Sequence, residues 1–229
     1  MIDFIYNSHD EFISLLYSLS DKKYKEFSYN LAKTNYKFIG VRIPILKQIA
    51  KCLSKQNFQM FFENCTYTFF EEIMIFGFLL KYLKSESQII NSFKNFVYYV
   101  DSWSLSDSII ADLKVVKKHK EEFKSLLNFL FCDKEFYARC GYVFLLDYYI
   151  CDDYINYVFE MLNKEYDFYY VNMAKAWLLS KIYINYPYKV LEFLKNCKND
   201  FVVNKTISKI RDSYQVNKLQ KNKLTEYKR

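Results

Sequence analysis

Apolar side chains along this chain recur at steps of three and four, and no stretch alternates with polar residues for the length of a strand. The pattern predicts helices and no strands. Ser8 with Glu11 reads as a capping box ahead of Phe12, Leu15, Leu16 and Leu19, and Thr68 with Glu71 reads the same way before Ile73, Phe76, Leu79 and Leu80. Pro44 has the place of a first-turn proline ahead of Leu46, Ile49, Ala50 and Leu53. Pro187 ends one helix and opens the next.

The spacing of these elements is regular. Predicted helix starts fall at Phe69, Ser102, Glu135, Phe168 and Phe201, each 33 residues after the last. Each block holds a longer helical stretch and then a second, at 89–97, 123–131, 154–162 and 190–194. A helix pair repeated at this period predicts an all-α fold, an α-solenoid (superhelix) of the HEAT, armadillo or tetratricopeptide kind. Such a stack lines a concave face with one helix of every pair. Residues 10–65 supply two less regular pairs. No domain boundary is visible, so 1–229 reads as a single repeat domain ending in a thin polar tail, 217–229.

Composition supports helices and narrows the chemistry. Three glycines and two prolines leave little material for the turns of a sheet-rich fold. With 23 Tyr and 22 Phe, a single aromatic residue is weak evidence of a binding site. A net charge of +7 favours contact with polyanions. The six cysteines form no C-x-x-C pair, and His9 and His119 stand far apart. The sequence therefore predicts no metal, no cofactor and reduced thiols. No secretory leader is visible, and the longest apolar run, 73–80, is far short of the ~20 residues of a membrane span. The expectation is a cytoplasmic monomer with no membrane contact. A Gly-rich phosphate loop and a Ser-His-Asp system are both excluded by the scarcity of Gly and His.

Superimposing the blocks brings a charged and aromatic set together. At about 100° per residue, Trp103, Asp107, Arg139, Trp177, Lys205 and Lys209 fall within roughly a 140° arc of the first helix in consecutive repeats. Both tryptophans of the protein are in this set. Aromatic faces attract cations such as an alkylated purine. A carboxylate beside the sugar stabilises an oxocarbenium-like transition state. Basic residues hold backbone phosphates without reading sequence. The plain structural reading stands beside this one: tryptophans that pack helix pairs, lysines on a solvated face, and an Asp107–Arg139 ion pair that satisfies a charge in an apolar helix.

The run Gly40-Val41-Arg42-Ile43-Pro44, with Leu46, Lys47 and Ile49-Ala50-Lys51, resembles the N-terminal signature of the AlkD-like DNA alkylation repair family. Trp103-x-x-x-Asp107, Ala138-Arg139, Tyr170-Val171-Asn172-Met173-Ala174-x-Ala176-Trp177 and Asn204-Lys205-Thr206-Ile207-x-Lys209-Ile210-Arg211 follow in the family's order. The resemblance implies HEAT-like repeats whose concave basic groove holds double-stranded DNA. It implies a monofunctional glycosylase that removes cationic N3- and N7-alkylated purines without a deep base-flipping pocket. On it, Asp107 is the catalytic carboxylate, Trp103 and Trp177 flank the lesion nucleotide, and Arg139 holds a phosphate. Arg42, Lys205, Lys209 and Arg211 make general DNA contacts. Two departures from the family pattern, Ala138 and Gln215, each remove a basic residue from the groove. The competing expectation is a non-catalytic repeat module that binds DNA structure or a protein through the same face.

Overall fold

The computed structural model describes residues 4–56 and 58–229. The described residues form helices and no strands, with one isolated parallel bridge between Lys37 and Phe69. They divide into two compact units, one running to Asn128 and the other from Phe129 to Arg229.

The first unit contains α1 (His9–Ser18), α2 (Lys22–Ala32), α3 (Ile43–Leu53), α4 (Gln59–Asn64), α5 (Phe70–Leu79), α6 (Glu86–Phe96), α7 (Trp103–Ile110) and most of α8 (Lys120–Leu130). The second contains α9 (Glu135–Tyr148), α10 (Ile155–Leu162), α11 (Tyr169–Asn185), α12 (Pro187–Asn196), α13 (Asp200–Asp212) and α14 (Lys218–Lys223). Helices α5, α7, α9, α11 and α13 begin at Phe70, Trp103, Glu135, Tyr169 and Asp200, with starts 33, 32, 34 and 31 residues apart. The predicted starts lie within a residue of these. Each first helix is followed by a second, shorter than the first in the pairs α9/α10, α11/α12 and α13/α14 but longer in α5/α6 and α7/α8, where the predicted order is reversed, and four described helices precede Phe70.

In the first unit α5 lies between α3 and α7. Every residue of α5 is buried, as an all-round apolar helix requires. Its two glutamates, Glu71 and Glu72, are buried with it, and each is satisfied by backbone donors. The Glu71 carboxylate accepts the N–H groups of Ile39 at 3.1 Å, Gly40 at 2.7 Å and Val41 at 3.3 Å. Burial raises its pKa, and the three donors pull the other way. Gly40 has φ 105°, and a Cβ there would stand 2.6 Å from the Lys25 Cβ, so only glycine fits. The Ile39-Gly40-Val41 run is thus latched onto the buried helix.

This arrangement corrects one predicted cap. The helix starts at Phe70, so Glu72 and not Glu71 reaches back, accepting Phe69 N at 2.8 Å and Thr68 N at 2.9 Å. The box at Ser8 is half made. Ser8 Oγ accepts Glu11 N at 3.3 Å, while the Glu11 carboxylate takes the Asn7 side chain. Pro44 and Pro187 sit in the first turns of α3 and α12.

In the second unit α11 lies between α9 and α13. Residues 217–229, expected as a thin polar tail, carry α14 and a 3₁₀ turn, Leu224–Tyr227, that packs on α13 with Leu224 fully buried. The Arg229 guanidinium donates to the carbonyls of Cys197 at 2.6 Å and Leu194 at 3.1 Å. All six cysteines are free thiols, with Cys140 buried and the others partly so. No described helix is long and apolar enough to cross a membrane.

Candidate nucleic-acid interface and active site

The α7 helix carries two of the predicted residues, and its own sequence fixes where they point. Gly77 of α5 lets α7 come close, because a Cβ there would meet the Ile109 side chain at 2.5 Å. The first turn of α7 then closes on the end of α2, whose last carbonyls have no partner within their own helix. Ser102 Oγ donates to Ala32 O at 2.7 Å, and the Trp103 indole Nε1 donates to Leu31 O at 3.1 Å. Asp101 accepts Thr34 Oγ1 at 2.8 Å and Asn35 N at 2.7 Å, just beyond the same helix. Burial raises the Asp101 pKa against these bonds.

Asp107 follows Trp103 by one turn and shares its side of the helix. It is half-buried, and its Oδ1 accepts the hydroxyl of the buried Ser106 at 2.8 Å. Asp112 is committed elsewhere, bridging Lys47 Nζ at 3.1 Å and Lys81 Nζ at 2.7 Å, and these ammonium groups lower its pKa against burial. Arg42, a predicted DNA contact, pairs with Asp21 at 2.8 Å and lies over the Tyr24 ring at 5.1 Å. Its side chain remains 53% exposed.

The second unit gathers the remaining candidates on α9, α11 and α13. Arg139 is only 4% exposed, yet its guanidinium is not buried in hydrocarbon. Its Nη1 donates to the Tyr170 carbonyl at 2.8 Å, and the guanidinium lies 5.9 Å from the Tyr170 ring centre. Tyr170 N in turn donates to Glu135 Oε1 at 2.8 Å. The first turn of α11 is therefore held to α9 by a cation on its carbonyl and an anion on its N–H. Ala138, beside Arg139, is fully buried, so this position has no room for the second basic residue of the family pattern.

Trp177 lies on the accessible side of α11. Between Val171 and Ser180 only Met173 and Trp177 escape burial, and they are one turn apart. On α13, Lys205 and Arg211 are exposed and Lys209 is half-buried. The Lys209 pKa is lowered by burial and then by the Arg139 charge, which places these two cations near each other. Two adjacent cations make a favourable seat for an anion.

A family model described as DNA alkylation repair enzyme matches residues 12–211. The chain belongs to that family. Curated proteins give no match. The matched span includes Arg42, Trp103, Asp107, Arg139, Trp177, Lys205, Lys209 and Arg211, and Gln215 lies beyond it. Membership makes the protein an alkylation repair enzyme with DNA as its partner.

In this DNA alkylation repair family member, sequence reasoning passed over an aromatic row. Phe136 packs on Tyr170 at 5.4 Å, Tyr170 on Tyr169 at 5.2 Å, and Tyr169 on Phe201 at 5.5 Å. Arg139 lies over Tyr170, the second ring of the row, and Lys205 lies 5.8 Å from the Phe201 ring at its far end. A signal for it existed: Phe70, Trp103, Phe136 and Tyr169 stand at steps of 33. Among so many aromatic residues that register was drowned. No group of three or more His, Cys, Asp or Glu able to hold a metal occurs among the described residues.

Proposed function

We propose that this protein is a DNA glycosylase that hydrolyses the N-glycosidic bond of cationic N3- and N7-alkylated purines in duplex DNA. The helix pairs are read as HEAT-like repeats of an α-solenoid whose concave, basic face takes the duplex. Asp107 stabilises positive charge on the deoxyribose and orients the attacking water. Trp103 and Trp177 flank the lesion nucleotide, and Arg139 holds a phosphate beside it. Lys205, Lys209, Arg211 and Arg42 contribute sequence-independent backbone contacts. Alkylation already labilises the glycosidic bond, so a site built from one carboxylate and aromatic faces suffices and no cofactor or metal is required.

The observation that carries this reading is Asp107. It is a half-buried carboxylate that accepts the Ser106 hydroxyl on Oδ1, one turn from Trp103 and inside the span matched by an alkylation repair family. A scaffold for DNA has no use for a carboxylate there, since it repels phosphate. The second reading, a non-catalytic repeat module, draws on the structural duties of Trp103 and Arg139, which each satisfy a carbonyl of the fold. Base release from duplex DNA containing 7-methylguanine or 3-methyladenine separates the two. Release by the wild type and a loss of ~100-fold or more in Asp107→Asn is the expected result. Undiminished release by Asp107→Asn overturns the mechanism, and salt-sensitive duplex binding without release by the wild type favours the module.

A further inference from the structure

The α11 helix has a second face, away from Trp177. Asn172 and Lys175 lie roughly 150° around the helix from Met173 and Trp177 at 100° per residue. They line a cavity of about 950 Å3 walled by α10, α12 and the connections at 163–167 and 197–199. Both residues are only 6% exposed, and both are incompletely satisfied. The Lys175 ammonium donates to Lys164 O at 2.7 Å, and among the described residues no carboxylate comes within ion-pair distance of it. Asn172 Nδ2 donates to Tyr166 O at 2.9 Å, whereas its Oδ1 is buried without a partner. The ammonium lies 5.8 Å from the Tyr142 ring centre but has no counter-ion among the described residues, and a buried charge without one and an unmatched buried acceptor are both costly. Both deficits lie in one cavity, one turn apart on one helix.

The two groups define what would relieve them: an anionic acceptor for Lys175 and an adjacent N–H for Asn172. The cavity mouth adds a third requirement. Glu160, Glu165, Asp167 and Glu192 line it against Lys189 and Lys198, and this net acidic rim disfavours a multiply charged phosphate. It favours a ligand that bears one carboxylate inside and a cation outside. Phe159 and Phe193, with ring centres 6.0 Å apart, span α10 and α12 and offer an apolar wall to an aliphatic stem.

We propose that this cavity binds the carboxylate end of a basic amino acid or of a peptide that terminates in one. The carboxylate sits on Lys175 Nζ, the neighbouring N–H donates to Asn172 Oδ1, and the basic side chain faces the carboxylates at the mouth. Burial pulls the Lys175 amine down to about 8, with the nearby Cys197 and Glu165 opposing the shift. A bound carboxylate restores the charged form, so binding takes up a proton at slightly alkaline pH.

Calorimetry on the full chain tests this with L-arginine, glycyl-L-arginine and agmatine, the arginine analogue that lacks the carboxylate. Saturable binding of one or both carboxylates, at least ~10-fold tighter than agmatine, is expected from the loss of one charge-assisted hydrogen bond pair. Lys175→Met should weaken that binding by ~10-fold or more, with circular dichroism confirming its fold. Preference for the dipeptide identifies a peptide terminus as the ligand, and preference for arginine identifies a free amino acid. Equal binding of agmatine, unchanged binding by Lys175→Met, or no saturable binding of either carboxylate tighter than ~1 mM overturns the proposal.

Discussion

The Trp103 indole N–H and the Leu31 carbonyl are joined across 3.1 Å, tying the first residue of α7 to the last turn of α2. The side chain that we propose flanks a lesion nucleotide therefore also completes the fold. The two duties separate by substitution. Trp103→Phe keeps an aromatic face and loses the donor, so stability should fall by ~1 kcal/mol while excision changes little. Trp103→Ala removes both and should lose excision as well. Urea unfolding and base release on the same samples read the two effects.

Arg139 and Lys209 form a second coupled pair. Arg139→Ala strips a buried cation from the Tyr170 carbonyl, costing ~1.5–3 kcal/mol, and removes the charge that lowers the Lys209 pKa. The Lys209 amine should then titrate higher, measurable by NMR of labelled lysine. Duplex affinity should drop, and the slope of log K against log salt should shrink by ~1. Arg139→Lys should not rescue binding, because an ammonium cannot reach the carbonyl and a phosphate with the fork of a guanidinium. A full rescue would assign Arg139 a purely coulombic role.

Gly77 tests whether the seat of α7 controls the chemistry. A Cβ at this position collides with Ile109, so Gly77→Ala must push α7 away from α5 or displace that side chain, at ~1–3 kcal/mol. Excision should fall although no residue of the proposed site is altered. Gly77→Ala paired with Ile109→Val, which shortens the opposing side chain, should recover part of both losses.

Lys175 predicts a pH dependence whose sign follows from burial. Its folded pKa, about 8, lies below the ordinary lysine value of 10.5, so between these values the unfolded chain binds more protons than the folded one. Stability therefore rises with pH across that window, and the full cost, ~3 kcal/mol, is carried below about 8. Lys175→Met should raise the melting temperature at pH 7 and flatten the rise between pH 8 and 10.5. A variant less stable than wild type at pH 7 would show that the hydrogen bond to Lys164 outweighs desolvation.

Both glutamates of α5 show how far local rules reach. Helix starts, the prolines of α3 and α12 and the 33-residue period were legible because their causes lie within a few residues along the chain. Which of two neighbouring glutamates would cap the helix was not. A start one residue later hands the capping to Glu72 and turns Glu71 toward Ile39, Gly40 and Val41, some thirty positions away. Likewise, Arg139 stood out as a charge in an apolar helix that needed a partner. One partner that the fold supplies is the backbone carbonyl of Tyr170, which no side-chain pattern announces.

The sequence by itself determined an all-helical chain whose first helices recur about every 33 residues, and it marked Asp107, Arg139 and the two tryptophans as candidate site residues. Only the tertiary structure decided which of these also serve the fold, how the aromatic row from Phe136 to Phe201 forms, and that the back of α11 encloses a cavity over Lys175 and Asn172. The division has a physical cause. Helical period and caps are set by hydrogen bonds spanning about four residues, whereas burial and the partners of a buried polar group are set by segments distant in sequence that the core brings together.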